Sequence, residues 1–235
     1  MALNRTVEHI RLKREDLSDY LYHFTKNKEA FETLVSILHD GKLKDIGGKG
    51  VICFTEAPFP MLAGMFDVFR PYLDPMYAPY GIGIRKEKLF ALGGRPVIYG
   101  SPDEKELLDP KLQWRFQSYH PVHCDYSWLR EWRIPVAEVE LLPEDCFVIT
   151  DQEHELTIAY NHEDIIDIEP DVDIGDDKRP VVSMLGKIQR QYKGISLETI
   201  KKIAHPNNAA VADELLSQSF VDMGYVNLGH WCPDQ

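Results

Sequence analysis

The sequence predicts an α+β domain whose strands lie mainly in the middle of the chain. Short apolar or alternating segments recur between residues 50 and 150, whereas the helical patterns lie mostly before this region and after residue 180. Strands and helices segregated in this way along a chain are typical of the α+β class. We therefore expect one domain over residues 1–180, followed by a helical C-terminal extension over residues 181–235.

The first strand and helix have the clearest local signals. Residues 21–25 predict a short strand, and Phe31, Leu34, Val35 and Leu38 recur at the spacing of one helix face. This spacing predicts a helix over residues 28–39. Gly41 follows it and is expected to end it in the left-handed conformation, which costs glycine little.

The central region predicts a series of strands separated by turns and one further long helix. Strands are predicted over residues 51–54, 80–84, 96–99, 130–139 and 146–149. A helix is predicted over residues 58–69, with Pro58 in its first turn. The proline-containing stretch 71–79 predicts a loop, and residues 104–107 a short helix.

The C-terminal region predicts two helices after an acidic stretch. The helices are expected over residues 197–204, with Ser196 as the N-cap, and over residues 208–223. Four aspartates fall within residues 171–177, but the glycine and final glutamate of a calcium-binding loop are not at the required offsets, which indicates a solvated loop.

Composition excludes several classes of function. The formal net charge of −12 argues against a broad nucleic-acid-binding surface, and the four scattered cysteines contain no C-x-x-C pair that would suggest zinc. His120, His123, Cys124 and Asp125 also lack a recognised zinc spacing. We find no signal peptide and no apolar run of membrane-spanning length, so we expect a cytoplasmic protein without a metal.

Three short segments carry the candidate chemistry. They are LYHFT at residues 21–25, GVICFTE at residues 50–56 and WLREWRI at residues 128–134. Each one alone is more often a core histidine, an ordinary strand or a surface ion pair. Their order, however, is distinctive: a strand with a histidine, a helix that ends in glycine, a glycine turn into an apolar strand, and a late strand with a glutamate.

Over residues 20–140 this order resembles the ADP-ribosyltransferase superfamily of the histidine, aromatic and glutamate type. It looks most similar to bacterial phage-defence families, namely the AbiGi-like abortive-infection proteins and the DarT- and CmdT-type toxins. The resemblance implies a split mixed β-sheet with flanking helices that binds NAD in the cleft between its two parts. It also implies an enzyme that cleaves NAD and transfers ADP-ribose.

The resemblance implies a role for each matching residue. Glu131 would be the catalytic carboxylate, since cleavage of a glycosidic bond passes through an oxocarbenium-like state that a carboxylate stabilises. Strand alternation places Arg133 on the same face as Glu131, and a purely structural ion pair between them is the alternative. His23 would bind the adenosine ribose, and Thr25 would contact the nicotinamide amide.

The aromatic residue of the site stays open among three candidates. Phe54, Phe66 and Tyr80 are each placed to stack on the nicotinamide ring. Arg95 is a candidate contact to the pyrophosphate or the acceptor, with a solvated turn residue as the alternative. Residues 114–120 mix aromatic and basic residues that suit an acceptor platform, although buried aromatics under a loop explain them better.

The acceptor and the partners follow from the same resemblance. The related toxins favour a nucleic-acid acceptor, whereas the acidic charge keeps a protein acceptor open. An antitoxin protein is an expected partner. The alternatives are an inactive relative that acts as an antitoxin, sensor or binding module, and an NAD glycohydrolase with water as the acceptor.

Overall fold

The protein is mixed α+β, and its centre is one large sheet. The computed structural model describes residues 18–57, 59–161, 192–203 and 220–222, together with Thr6 and His9. In these residues, eight strands form one sheet in the order β12-β11-β10-β4-β1-β3-β8-β5. Neighbouring strands are antiparallel except for β10 and β11, which are parallel, so the sheet is mixed. The strands are β1 Tyr20–Phe24, β2 Lys42–Lys44, β3 Ile52–Thr55, β4 Gly81–Arg85, β5 Arg95–Pro96, β6 Ile98–Gly100, β7 Phe116–Ser118, β8 Glu131–Ile134, β9 Glu138–Glu140, β10 Cys146–Thr150, β11 Lys193–Ser196 and β12 Val221–Asp222.

Helices cover both faces of this sheet. The helices are α1 Ala30–Asp40, α2 Phe59–Phe69, α3 Lys86–Ala91, α4 Glu153–Asn161 and α5 Leu197–Ile203. Apolar residues of α1, α3 and α4 pack on the face that carries Leu21, Ile82 and Trp132. Residues of α2 and α5 pack on the opposite face, against Tyr22 and Phe147. Two separate pairs, β2 with β9 and β6 with β7, lie outside the large sheet.

The sheet is weakly joined at one place, between β1 and β3. Strand β1 pairs with β4 over five residues, from Tyr20 to Phe24. Its registered pairing with β3 is limited to Tyr22 opposite Thr55. The large sheet therefore divides into one part that ends at β1 and a second part formed by β3, β8 and β5.

Most of the predicted elements are confirmed within a residue or two of their expected ends. Gly41 takes a φ of 66° and its amide donates to the carbonyls of Ile37 and Leu38, as the predicted cap requires. The hydroxyl of Ser196 accepts from the amide of Thr199 at 3.1 Å, which confirms the predicted N-cap of α5. Pro58 and the acidic run 171–177 lie outside the described residues.

Several expectations were wrong or incomplete. The single strand predicted over residues 96–99 is two short strands, because β5 pairs with β8 in the large sheet whereas β6 pairs with β7. The single strand over residues 130–139 is two strands, because Pro135 has no amide to continue the ladder and β9 pairs with β2 in another sheet. Helices α3 and α4 were not predicted; α3 is six residues long, too short for a helical period to show. The segment after residue 181 is not purely helical, because β11 and β12 join the large sheet. The helix predicted over residues 208–223 is wrong at residues 221–222, and most of it lies outside the described residues.

Candidate functional site

Glu131 is the first residue of β8 and directly follows a turn with an unusual backbone conformation. A 3₁₀-helix, Ser127–Leu129, is followed by Arg130 with φ 47° and ψ 50°, the left-handed conformation. Within the described residues, the only other non-glycine residue with positive φ is Asn27. Side chains rarely adopt this conformation, and residues that do are concentrated at functional sites. This backbone conformation immediately precedes Glu131, at the start of β8.

Arg133 holds the carboxylate of Glu131 on one face of β8. The Nε atom of Arg133 lies 2.8 Å from Oε1 of Glu131, and the two side chains are only 15% and 13% exposed. The remaining guanidinium groups donate to the carbonyls of Trp114 and Phe116 and to the side chain of Gln117. Arg133 therefore fixes the carboxylate and ties β8 to the segment that contains β7.

Cys53 lies beside this ion pair on the same face. It is opposite Arg133 in the register of β3 and β8. Desolvation and the negative charge of Glu131 raise the pKa of its thiol to about 11, against an opposing effect of Arg133. At neutral pH the thiol is therefore protonated, so Cys53 contributes polarity rather than a nucleophile.

Two tyrosines, Tyr77 and Tyr99, lie near Glu131. The amide of Glu131 donates to the Tyr99 hydroxyl at 3.2 Å, which in turn donates to the carbonyl of Tyr126 at 3.2 Å. Burial raises the pKa of Tyr99, and it raises the pKa of Tyr77 to about 12 with a further contribution from the charge of Glu131. The site therefore combines one fixed carboxylate with phenol groups that stay protonated at neutral pH.

Tyr77 was not a candidate in the sequence because it lies in the irregular loop between α2 and β4. Two backbone hydrogen bonds, Asn27 to Pro75 and Ala78 to Thr25, attach this loop to the residues after β1. The ring of Tyr77 packs edge-on against Trp128 at 5.9 Å and at a tilt against Phe69 at 5.6 Å. The contacts with Asn27, Thr25 and Trp128 join distant parts of the chain, which local periodicity does not reveal.

His23 lies on the opposite face of the sheet from Glu131. Tyr22 is paired with Thr55 and Thr55 with Glu131, so these three share a face and His23, the next residue, points the other way. Its ring packs edge-on against Phe54 at 5.6 Å. The Nδ1 atom lies 2.8 Å from the carbonyl oxygen of Cys53. Cys53 therefore lies between the two residues: its carbonyl oxygen binds His23, and its side chain shares a face with Glu131 and Arg133.

The hydrogen bond to Cys53 fixes the protonation of the imidazole. A carbonyl oxygen only accepts, so Nδ1 of His23 carries the proton. Burial lowers the pKa of His23 below its ordinary value of 6.5, more than the bond to Cys53 raises it. At neutral pH the ring is neutral, and Nε2 is available as an acceptor on the side where β1 and β3 separate.

Thr25 and Phe54 have mainly structural contacts. The hydroxyl oxygen of Thr25 is within 2.9 Å of the carbonyl oxygens of both Ala30 and Tyr80. Because the hydroxyl has one proton, it donates to one of these carbonyls at a time. The amide of Thr25 donates to Tyr80 and its carbonyl accepts from Ala78. Phe54 is buried on the His23 face, where it belongs to the hydrophobic core.

The three other residues predicted to bind the cofactor lie in different parts of the structure. Phe66 lies on the Glu131 face, in a small apolar pocket with Phe24 and Tyr77. Tyr80 lies elsewhere, with its hydroxyl donating to Glu155 at 2.8 Å. Arg95 is next to Arg133 in the register, but its guanidinium donates to the carbonyls of Phe90 and Gly94 and lies over the ring of Phe90.

The segment before the site is partly structural. Trp114 and Phe116 accept hydrogen bonds from Arg133 through their carbonyls, and Phe116 is buried. The rings of His120 and His123 stack at 4.6 Å, and the amides of Val122 and His123 donate to Nδ1 of His120. Across the part of the chain that the structure describes, no group of three or more histidine, cysteine or acidic residues is arranged to hold a metal ion.

Comparison of the chain with protein-family models, with curated proteins and with solved structures finds no match to any of them. Among the described helices, none combines the length and apolar character needed to cross a membrane.

Proposed function

We propose that this protein is a mono-ADP-ribosyltransferase that cleaves NAD and transfers ADP-ribose to a macromolecule. The observation that carries the proposal is the Glu131 carboxylate, which is largely shielded from water and which Arg133 fixes at 2.8 Å. It is further supported by the order of the three sequence segments and by the sheet, which is nearly divided beside the strand that carries His23.

The chemistry of the site suits the nicotinamide end of NAD. The pyridinium ring is planar and positively charged, and carboxylates and the faces of aromatic rings both attract such a group. In the reaction, the bond between the ribose C1′ and the nicotinamide nitrogen breaks and its electron pair leaves with nicotinamide. A carboxylate beside the ribose stabilises the positive charge that develops there. The acceptor nucleophile then bonds to C1′ and loses its proton.

His23 suits a role in binding NAD rather than in transferring a proton. Its neutral ring presents Nε2 as an acceptor, the group required to receive a hydrogen bond from a ribose hydroxyl. Because His23 and Glu131 are on opposite faces, a ligand that reaches both must enter the gap where β1 and β3 separate beyond Tyr22 and Thr55. This gap is the proposed NAD cleft of a split ADP-ribosyltransferase sheet.

The resemblance to phage-defence toxins favours a nucleic-acid acceptor, and an antitoxin as the protein partner. The net charge of −12 opposes tight nonspecific binding to nucleic acid, so selectivity would come from contacts at the site. Separate incubations with DNA and with RNA distinguish the two nucleic-acid acceptors.

The test uses NAD labelled in its adenosine ribose, incubated with the purified protein and, separately, with DNA, RNA, cell-extract protein or buffer alone. Glu131→Gln is the test variant, and Glu140→Gln, on exposed strand β9, is the matched control. We expect label transfer to one fraction by the wild type and Glu140→Gln, and a loss on the order of 100-fold or more in Glu131→Gln. The thermal stability of Glu131→Gln should stay close to that of the wild type.

Each other outcome has a defined meaning. Free ADP-ribose without labelled macromolecule would identify a glycohydrolase. Full activity of Glu131→Gln would remove Glu131 from the mechanism. The absence of any NAD consumption would contradict the enzyme proposal and favour an inactive relative that binds a partner.

A further inference from the structure

A second carboxylate, Glu56, lies directly after β3 on the face opposite Glu131. Its side chain is only 13% exposed. One oxygen, Oε1, accepts from Nζ of Lys86 at 2.7 Å, and the other, Oε2, accepts from the indole Nε1 of Trp132 at 2.8 Å. Both oxygens of this carboxylate therefore have specific partners, as expected for a charge that is largely removed from water.

Lys86 anchors Glu56 from the other part of the sheet. Lys86 follows β4, and its amide donates to the carbonyl of Asp19 at 2.8 Å. Trp132 belongs to β8, in the part formed by β3, β8 and β5. The carboxylate of Glu56 thus connects the two parts of the sheet close to Tyr22 and Thr55, their one registered pair.

The end of β3 also contacts the residues on both sides of Glu131. The hydroxyl of Thr55 donates to the carbonyl of Leu129, and the amide of Glu56 donates to the carbonyl of Arg130 at 3.3 Å. The side chain of Glu56 then binds Trp132, the residue after Glu131. Arg130 is the residue in the left-handed conformation, and such a conformation persists only where surrounding contacts hold it.

From this arrangement we infer that Glu56 is a positioning residue: by accepting the indole hydrogen of Trp132, it fixes the start of β8 and so the direction of the Glu131 carboxylate. The inference rests on the proposed function for its catalytic consequence, though not for its structural one. Glu56 does not share a face with Glu131 and takes no part in the chemistry. Lys86 neutralises its charge and holds it in place.

Two double variants isolate the hydrogen-bond acceptor from the buried charge. Glu56→Gln with Lys86→Met removes both charges and keeps an amide oxygen for Trp132, whereas Glu56→Met with Lys86→Met removes the acceptor as well. We expect the first to keep kcat for NAD within about three-fold of the wild type. The second should lose on the order of 10- to 100-fold in kcat, with a smaller change in KM, because misplacement of a catalytic group acts mainly on the chemical step.

A structural readout accompanies the kinetics. In protein labelled with ¹⁵N at tryptophan, the indole resonance absent from Trp132→Phe identifies Trp132 among the four tryptophans. This resonance should shift only slightly in the glutamine double variant and strongly in the methionine double variant. Hydrogen exchange at the Glu131 amide, which donates to Tyr99, should quicken in the methionine double variant alone. Glu138→Gln, which breaks an exposed pair with Lys42, is the control for a lost surface charge.

The outcomes separate this inference from the proposed function. The inference is overturned if the two double variants have the same kcat and the same exchange rate at the Glu131 amide, whether both are impaired or neither is. If the wild type consumes no NAD, the proposed function fails and exchange at the Glu131 amide alone decides the inference. If the methionine double variant does not fold, Trp132→Phe removes the same bond from the donor side, and unchanged kcat and exchange there would also overturn it.

Discussion

Arg133 and Glu131 lie two residues apart on one face of β8 and form an ion pair of 2.8 Å that is largely shielded from water. Arg133 also donates to two backbone carbonyls and to the side chain of Gln117. An exposed pair contributes little to stability, whereas a guanidinium with several fixed partners determines geometry. Arg133 is therefore the residue through which the segment containing β7 and the candidate catalytic carboxylate affect each other.

Replacement of Arg133 by lysine should separate its charge from its geometry. Lysine keeps the positive charge but cannot bind Glu131, the two carbonyls and Gln117 together. We expect Arg133→Lys to lower kcat for NAD about ten-fold or more and to quicken hydrogen exchange over residues 113–118. Arg115→Lys, whose guanidinium binds one carbonyl, that of Pro96, is the matched control and should change both quantities little. If hydrogen exchange over residues 113–118 were the same in Arg133→Lys as in the wild type, Arg133 would not be the residue that holds this segment in place.

Local sequence signals were sufficient for much of the fold but not for the composition of the site. The spacing of Leu34 and Val35 and the cap at Gly41 gave α1, because a helix depends on neighbours three and four residues away. The alternation of side chains along the strand was enough to predict that Glu131 and Arg133 lie on one face and Trp132 on the other. Tyr77 was not found, since it reaches the site through backbone contacts with residues about 50 positions earlier, between Ala78 and Thr25.

The opposite placement of His23 and Glu131 has a similar cause. Alternation along one strand is a local property, but which face of β1 meets which face of β8 depends on the register through β3. That register, with Tyr22 opposite Thr55 and Thr55 opposite Glu131, is set by packing across the whole sheet. The sequence therefore offered both residues as candidates without placing them relative to each other.

Tyr77 should contribute to NAD binding through its ring. Loss of one aromatic contact typically costs about 0.5–1.5 kcal/mol, which corresponds to roughly a two- to ten-fold higher KM. We expect an increase of that size in Tyr77→Ala and a smaller one in Tyr77→Phe, which keeps the ring. Tyr72→Ala, in the same loop with its side chain exposed, should bind NAD as the wild type does. Equal KM values for Tyr77→Ala and Tyr72→Ala would exclude a role for the ring.

His23 should make the folded state sensitive to acid. Its pKa is lowered by burial in the folded protein, so as the pH falls below the ordinary value of 6.5 the unfolded chain binds a proton first. The stability that depends on neutral His23 is fully present above that pH and is lost as the pH falls towards the lowered pKa. Asparagine at this position can still donate to the carbonyl of Cys53 but does not titrate. Between pH 7 and pH 5, thermal unfolding of His23→Asn should therefore depend less on pH than that of the wild type.

The control for this prediction is His39→Asn, since His39 is about half exposed at the end of α1. It should keep most of the pH dependence of the wild type, because its ring is far more accessible to solvent than a buried imidazole is. A pH dependence of His23→Asn identical to that of the wild type would show that His23 takes up its proton equally well in the folded and unfolded chains.

Arg130 permits a test of the turn that delivers Glu131. Its φ of 47° disfavours every residue with a Cβ and is well tolerated by glycine. Arg130→Ala and Arg130→Gly both remove the side chain and its contacts, so their difference reports on the backbone alone. In an ordinary position alanine is the more stabilising of the two, because glycine has the more flexible unfolded chain. Here we expect the reverse, with Arg130→Gly more stable than Arg130→Ala by about 1 kcal/mol in denaturant unfolding.

The control is the same pair of variants at Lys105, which lies in the 3₁₀-helix Pro102–Leu107 at negative φ. There, alanine should be the more stable of the two. If alanine were the more stable at both positions, the left-handed turn before Glu131 would not be present in solution.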